Sequence, residues 1–279
     1  MTLNSNNPTS IERGIRSNRG VGNLIDIHCH ILPGVDDGAN SLSESLTIAR
    51  QAAKQGIRII IATPHHQNGE YLNDGQHIPE MVHFLNEKLT EANIPVEILA
   101  GQEIHINSDL LDDLKAGSVI PLTQFSRYVL IELPVSHVPP FMDQIIFDLQ
   151  IESYIPIITN PELNNAFFNN PDQLYRLVKR GALTQVSAMS LVGKEGGKAQ
   201  RFAEQLLDAN LTHFIASNAH HAKKHGIYLE KAYRLIEKKF GKPTMHEFME
   251  NSQAVISNEM IMLHSPINIK RGGLFKIFK

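Results

Sequence analysis

Cysteine occurs once in 279 residues, at Cys29, so no disulfide can form within the chain and a reducing compartment, the cytoplasm, is expected. No stretch approaches the roughly 18 consecutive apolar residues of a membrane span. Residues 1–20, MTLNSNNPTSIERGIRSNRG, lack the apolar centre of a secretion signal. An excess of charge of one sign is also missing. With 26 Lys and Arg against 29 Asp and Glu, the formal charge is −3, which gives nucleic acid no electrostatic footprint. Nor does the chain carry an aromatic-basic stripe of the kind that binds single strands.

What is present is histidine, 14 in all, and a long alternation of two patterns. Short apolar runs rich in β-branched residues predict buried parallel strands at 24–32, 58–64, 95–104, 128–134, 154–160, 182–191 and 213–220. Helical patterns separate or follow them at 41–56, 78–92, 108–116, 139–152, 171–180, 198–210 and 227–239. In the first, Leu42, Leu46, Ala49 and Ala53 form an apolar stripe and Gly56 supplies a stop. Asn170-Pro171-Asp172 and Ser108-Asp109 mark helix starts. Seven such pairs predict a single-domain α/β fold, a (β/α) barrel over residues 23–260, with a doubly wound open sheet as the alternative. Residues 1–22 predict a disordered arm. The tail, 261–279, predicts a solvated segment whose basic and apolar residues interleave, with a weak membrane-surface or partner contact as the sharper reading.

The chemistry-bearing residues fall at the ends of those strands. In DIHCH, His28 and His30 are two apart, so their rings leave one face of a strand while Cys29 leaves the other, as a small buried hydrophobe. Asp36 and Asp37 follow strand one in PGVDDGA, and one of them is expected to cap the next helix. His65 follows strand two, Glu103 ends strand three, Glu132 lies in strand four and His220 ends strand seven. A lone carboxylate within YVLIELP is costly to bury unless partnered, by a metal ion or by a buried Arg or Lys. In a barrel these strand ends converge on one pocket, and mixed imidazoles and carboxylates suit Mn, Fe or Zn. Seven ligands exceed the needs of one ion, so two or three are expected, with a carboxylate such as Glu103 bridging neighbours. His66, His105, His137, His213 and His221 read as surface or packing residues.

The segments IDIHCHILPGVDDGA, IIATPHHQNG, AGQEI, LIELP and SNAH resemble the PHP phosphoesterase superfamily. Within it they are most similar to the manganese-dependent tyrosine-protein phosphatases of bacterial capsule and exopolysaccharide operons. The resemblance runs from about Leu24 to Gly241. It implies a distorted (β/α)7 barrel of the PHP type with a trinuclear site. His28 and His30 would hold one ion, Glu103 would bridge it to a second shared with Glu132, and Asp37, His65 and His220 would hold the third. It further implies a substrate, the phosphotyrosine tail of a bacterial tyrosine autokinase, attacked by metal-bound water with no protein nucleophile. The lack of an Arg five residues beyond Cys29 agrees with that. Homo-oligomers through the first helix, around Glu44 to Arg50, are implied as well.

Four departures cluster in the chemistry. The family's His-Pro-Glu-Arg segment here reads Asn160-Pro161-Glu162-Leu163, so a ligand position holds an amide and a phosphate-facing arginine is replaced by leucine. Its Ser-Asp-Ala-His reads Ser217-Asn218-Ala219-His220, and a later arginine corresponds to His225, beside Lys223 and Lys224. An amide oxygen brings no negative charge to Mn or Zn, and lysine replaces a bidentate guanidinium incompletely. Low metal affinity and slow phosphatase turnover are therefore expected. The competing expectations are a weakened or inactive homologue that binds phosphotyrosine or regulates the kinase, and another PHP phosphoesterase such as a histidinol phosphatase.

Overall fold

The structure, a computed structural model, describes residues 23–269. The expected arm, 1–22, and the last part of the tail, 270–279, lie outside the described residues.

All seven expected strands form, two of them broken in the middle. They are β1 (Leu24–Cys29), β2 (Ile57–Ala62) continued by β3 (His65–His66), β4 (Glu97–Ala100) continued by β5 (Glu103–His105), β6 (Tyr128–Glu132), β7 (Ile155–Thr159), β8 (Leu183–Ser187) and β9 (Phe214–Ala216). The break between β2 and β3 falls at Pro64, which has no N–H for the ladder but accepts from Glu103 N through its carbonyl at 3.2 Å. Every pairing is parallel, in the orders β1-β2-β4 and β3-β5-β6-β7-β8-β9. The far end of the second sheet returns to β1 through one bridge, Cys29 to Ala219. Around it, Asn218 N donates to His28 O at 3.0 Å and His30 N to Ala219 O at 2.9 Å. The ring is thus a distorted (β/α)7 barrel. The doubly wound alternative fails because β9 comes back to β1.

The helices between strands are α1 (Leu42–Lys54), α2 (Ile78–Glu91), α3 (Leu110–Ala116), α4 (Met142–Ile151), α5 (Asn165–Asn169), α6 (Pro171–Lys179), α7 (Ala188–Leu191) and α8 (Gly196–Asp208). After β9 come α9 (Leu229–Phe240) and α10 (Lys242–Ser257). The inward stripe of α1 is Ser45, Ile48, Ala49 and Ala52, so the Leu42, Leu46 and Ala53 line sits at its half-buried edge. Ser41 caps this helix by accepting from Glu44 N at 3.3 Å, and Glu44 returns the bond by accepting from Asn40 N. Neither Asp36 nor Asp37 serves as the cap. Residues 188–191, expected as strand, turn into a helical turn because the Ser187 hydroxyl accepts from Met189 N. Helix α10 has no counterpart in the predicted elements. Its buried face includes Asn251 and Ser252, which breaks the apolar periodicity.

Two apolar layers hold the ring. One lies between strands and helices. The other fills the lower interior with alternate residues of the strands, among them Ile25, Ile27, Ile59, Ile61, Leu130 and Ile157. Val255, Ile256 and Ile261 close that interior from the amino-terminal ends of the strands. Residues 261–269, expected as solvated tail, run along that end and stay largely exposed, with Ile267 N donating to Ala209 O and Asn210 Nδ2 to Ser265 O.

Candidate metal centre

Strict alternation along β1 would send His28 and His30 to the face opposite Ile25 and Ile27. The register with β2 slips between Asp26 and Cys29, however, which inserts one extra residue into β1. Ile27 and His28 both reach the interior, and Cys29 lies in the outer layer, fully buried. The bulge is what lets an apolar floor and a pair of imidazoles share one strand.

The two rings converge on a carboxylate from across the barrel. Glu103 Oε2 stands 3.2 Å from His28 Nε2, 3.4 Å from His30 Nε2 and 3.2 Å from His65 Nδ1. Asp37 Oδ1 lies 3.6 Å from both His65 Nε2 and His220 Nε2. The His30 and His220 rings stack at 3.9 Å. Two groups therefore have ligand atoms close enough to share an ion: His28, His30 and Glu103, and His30, Asp37, His65 and His220. Glu132 belongs to neither group. It reaches His65 Nδ1 at 3.6 Å and His105 Nδ1 at 3.2 Å, and is 27% exposed. The alternative partner for Glu132, a buried Arg or Lys, is not what faces it; His65 and His105 do, and His105 was read from sequence as a surface or packing residue. The signal was available: Glu103 and His105 are two apart on one strand, as His28 and His30 are.

Outer partners fix the rings. His30 Nδ1 donates to Asp36 Oδ2 at 2.8 Å, and that carboxylate also accepts from the backbone N–H groups of His65 and Gly38. His28 Nδ1 donates to the carboxamide oxygen of Gln185 at 2.7 Å, and His220 Nδ1 to Asn218 O at 2.9 Å. Each arrangement leaves Nε2 facing the cluster, as ligating imidazoles require. Gln185 was missed as a site residue, since sequence spacing does not reveal a partner across the barrel, while Asp36, read as a candidate ligand or helix cap, is instead the outer partner of His30. Gly38 is obligatory here: a Cβ would meet His30 O at 2.2 Å.

The electrostatics match a cation site. Burial would raise Glu103, but the facing His28, His30 and His65 hold it well below the usual carboxylate range. Burial would lower His30, yet its bonds to Asp36 and Glu103 lift it to about 10. Burial and the neighbouring His30 push His220 far down, leaving it neutral with a free lone pair. The acids thus favour positive charge at His30. Buried atoms without a hydrogen-bond partner include the carboxamide oxygens of Asn160 and Asn218, each on a backbone with positive φ at a strand end. Asn160 N is tied to Gln185 O and Asn218 N to His28 O, so both flank the cluster. These acceptor oxygens, with the imidazoles and carboxylates, fit divalent cations.

The phosphate-facing candidates lie outside the two ligand groups. Lys223 and Lys224 are exposed. The His225 ring is 6.4 Å from that of His220, and its Nδ1 lies 3.7 Å from Glu195 Oε1. Leu163 ends a 3-10 turn, Pro161–Leu163, whose Glu162 is buried and accepts from Ser187 N.

A ring of parallel strands with imidazoles and carboxylates gathered at their carboxyl ends defines a barrel of the metal-hydrolase class. The chain belongs to the family described as capsular polysaccharide synthesis, CpsB/CapC, whose profile matches residues 24–257. It is 42% identical over 255 residues to tyrosine-protein phosphatase YwqE of Bacillus subtilis (strain 168), covering 91% of this chain and all of that one. It is 33% identical over 243 residues to a putative tyrosine-protein phosphatase CapC of Staphylococcus aureus, covering 87% and 95%. A solved structure also matches, from work on YwqE of Bacillus subtilis and CpsB of Streptococcus pneumoniae described as unique metal-dependent tyrosine phosphatases. It superposes with a TM-score of 0.87 at 42% identity, over 89% of this chain and 100% of that one.

Proposed function

We propose that this chain is a metal-dependent protein-tyrosine phosphatase of a capsule or exopolysaccharide system, cleaving phosphotyrosine monoesters on a tyrosine autokinase. The observation that carries this reading is Glu103 Oε2, within 3.4 Å of three imidazoles from two other strand ends. His28, His30 and Glu103 would hold one ion, Asp37, His65 and His220 another with His30 at the shared edge, and Glu132 would complete the set beside Glu103. Manganese is the ion proposed, two or three per chain, with iron or zinc compatible with the same donors. Such ions supply Lewis-acid stabilisation of phosphoryl oxygens and lower the pKa of attacking water.

The protein's own part is to hold those donors in place and to bind the phosphate. Cys29 is no nucleophile, because it is buried and burial pushes its thiol well up. Asn160 and Asn218 offer neutral oxygens where the family resemblance implies charged or imidazole ligands. Leu163 offers nothing to phosphate, and recognition falls to Lys223, Lys224 and His225. Metal binding is accordingly weak and turnover slow. Assembly of copies through α1 belongs to the same proposal, with exposed Arg50 available. Glu44 is already engaged by Asn40, Ala222 and His221. A cytoplasmic location is proposed with it; no helix among the described residues is long and apolar enough to cross a membrane.

The two amide positions also favour a second reading, a binding module that retains phosphotyrosine without efficient hydrolysis. Manganese-dependent hydrolysis of a phosphotyrosine peptide separates the two. The phosphatase reading predicts slow turnover that His28→Ala abolishes and Asn160→His/Asn218→Asp raises about tenfold or more. No turnover in the natural chain, with turnover only in the double variant, would establish the second reading instead.

A further inference from the structure

The cluster opens to solvent at its acids. His28, His30 and Glu103 are buried, whereas the side chain of Asp37 is 53% exposed and that of Glu132 27%. A phosphate ester reaches the ligand set from that side, and whatever its phosphate carries projects back out the same way.

Tyr71, on the loop after β3, stands at this opening. Its ring lies nearly parallel to that of His65, at 13°, with centroids 6.4 Å apart. Partial burial, then the carboxylates of Asp37 and Glu70, push its phenol up and keep the ring uncharged. The backbone that carries it is fixed. Tyr71 O accepts from Gln67 N at 2.9 Å and Tyr71 N donates to Asn68 Oδ1 at 2.9 Å, closing a short loop in which Gly69 has a φ of +94°. Two residues on, Asn73 Nδ2 donates to His65 O at 2.8 Å and to Val35 O at 3.1 Å. The loop is thereby tied both to the strand end that supplies His65 and to the segment that supplies Asp37. Core packing does not account for this aromatic residue, because Tyr71 is half-buried and belongs to neither apolar layer.

Aromatic pairs attract beyond their area when their centroids lie about 4.5–7 Å apart. In an aryl phosphate a single oxygen separates the ring from phosphorus, so a ring leaving the cluster comes within that range of Tyr71. A serine phosphate puts only a methylene there. We infer that Tyr71 is the residue that selects aryl over alkyl phosphomonoesters, by offering its ring face to the phenyl group of phosphotyrosine. The inference rests on the phosphatase reading and deepens it.

Calorimetric binding of two phosphonates to the full chain at saturating manganese tests this. Phenylphosphonate and cyclohexylphosphonate carry the same anionic group and apolar bodies of similar size, but only the first has a flat π face. The natural chain is expected to bind phenylphosphonate about threefold to tenfold more tightly. Tyr71→Phe should keep that preference and Tyr71→Leu should abolish it, each with the manganese affinity and melting temperature of the natural chain. Leu72→Ala, which changes a neighbouring side chain that is 77% exposed, should leave the preference intact. The inference is overturned if the natural chain binds both ligands equally, if Tyr71→Leu keeps the preference, or if Tyr71→Phe loses it, which would assign the effect to the hydroxyl. Loss of manganese from Tyr71→Leu would overturn it too, making Tyr71 a support of His65 and not a contact of the substrate. A manganese-loaded chain that binds neither phosphonate fails the phosphatase reading and this inference with it, whereas equal binding of both leaves that reading standing.

Discussion

At the scale of single residues, the cluster is organised by side chains that cannot touch an ion themselves. Asp36 is the clearest. One carboxylate orients the His30 ring and accepts from the N–H groups of Gly38 and His65, joining the first loop to the end of the second strand. Asp36→Asn keeps the shape but replaces the acceptor facing His30 Nδ1 with an uncharged amide and weakens the ring as a donor to metal. Manganese affinity measured by calorimetry should drop about 10- to 100-fold, with the melting temperature of the ion-free protein little changed. Equal affinity in both proteins would remove Asp36 from the site. The ligating types at strand ends were legible in the sequence because His, Asp and Glu stand out against apolar runs. The outer roles of Asp36 and Gln185 were not, because a hydrogen bond to the far side of an imidazole leaves no spacing signature.

At the scale of elements, positions were legible and the faces less so. Each strand was found because a buried parallel strand reads as a continuous β-branched run. The slip in β1 that turns His28 inward beside Ile27 was invisible, since it is set by pairing with β2 and not by the order of residues in β1. The α1 stripe was misplaced by a fraction of a turn because Ser45 is buried where an apolar residue would be sought. His213, read as a packing residue, joins two elements: its Nδ1 accepts from Thr184 N at 3.1 Å, tying the start of β9 to β8. Burial, aided by His264, lowers it to about 4. Unfolded, the ring takes a proton near pH 6.5, whereas folded it stays neutral until the pH nears 4. Its contribution is therefore complete above about pH 6.5 and is lost as the pH falls toward 4, at a cost of up to about 3 kcal/mol. In urea unfolding, His213→Gln should be less stable than the natural chain at pH 7.5. The gap should shrink or reverse by pH 5, because the variant lacks this acid penalty. A gap that stays constant with pH would contradict the burial argument, and the histidines other than His264, common to both proteins, cancel in the comparison.

At the scale of the molecule, the fold separates two jobs along the barrel axis. Apolar side chains fill the lower interior and are sealed by Val255, Ile256 and Ile261, while the carboxyl ends of the strands carry polar chemistry. That division lets a costly collection of buried acids and imidazoles stand on a packed floor. It also explains why a sequence reading reached the site before it reached the tail. Metal-ligating residues announce themselves by type. The course of residues 258–269 depends on contacts with Arg127, Tyr128, Ala209 and Asn210 that are distant in sequence. The most direct test of the whole account is crystallographic: diffraction at the manganese absorption edge from crystals of the full chain soaked in Mn2+. The account predicts an anomalous peak within about 2.5 Å of Glu103 Oε2, with His28 and His30 as its other neighbours. Crystals that bind manganese elsewhere, or leave no peak beside that carboxylate at saturating metal, would contradict it.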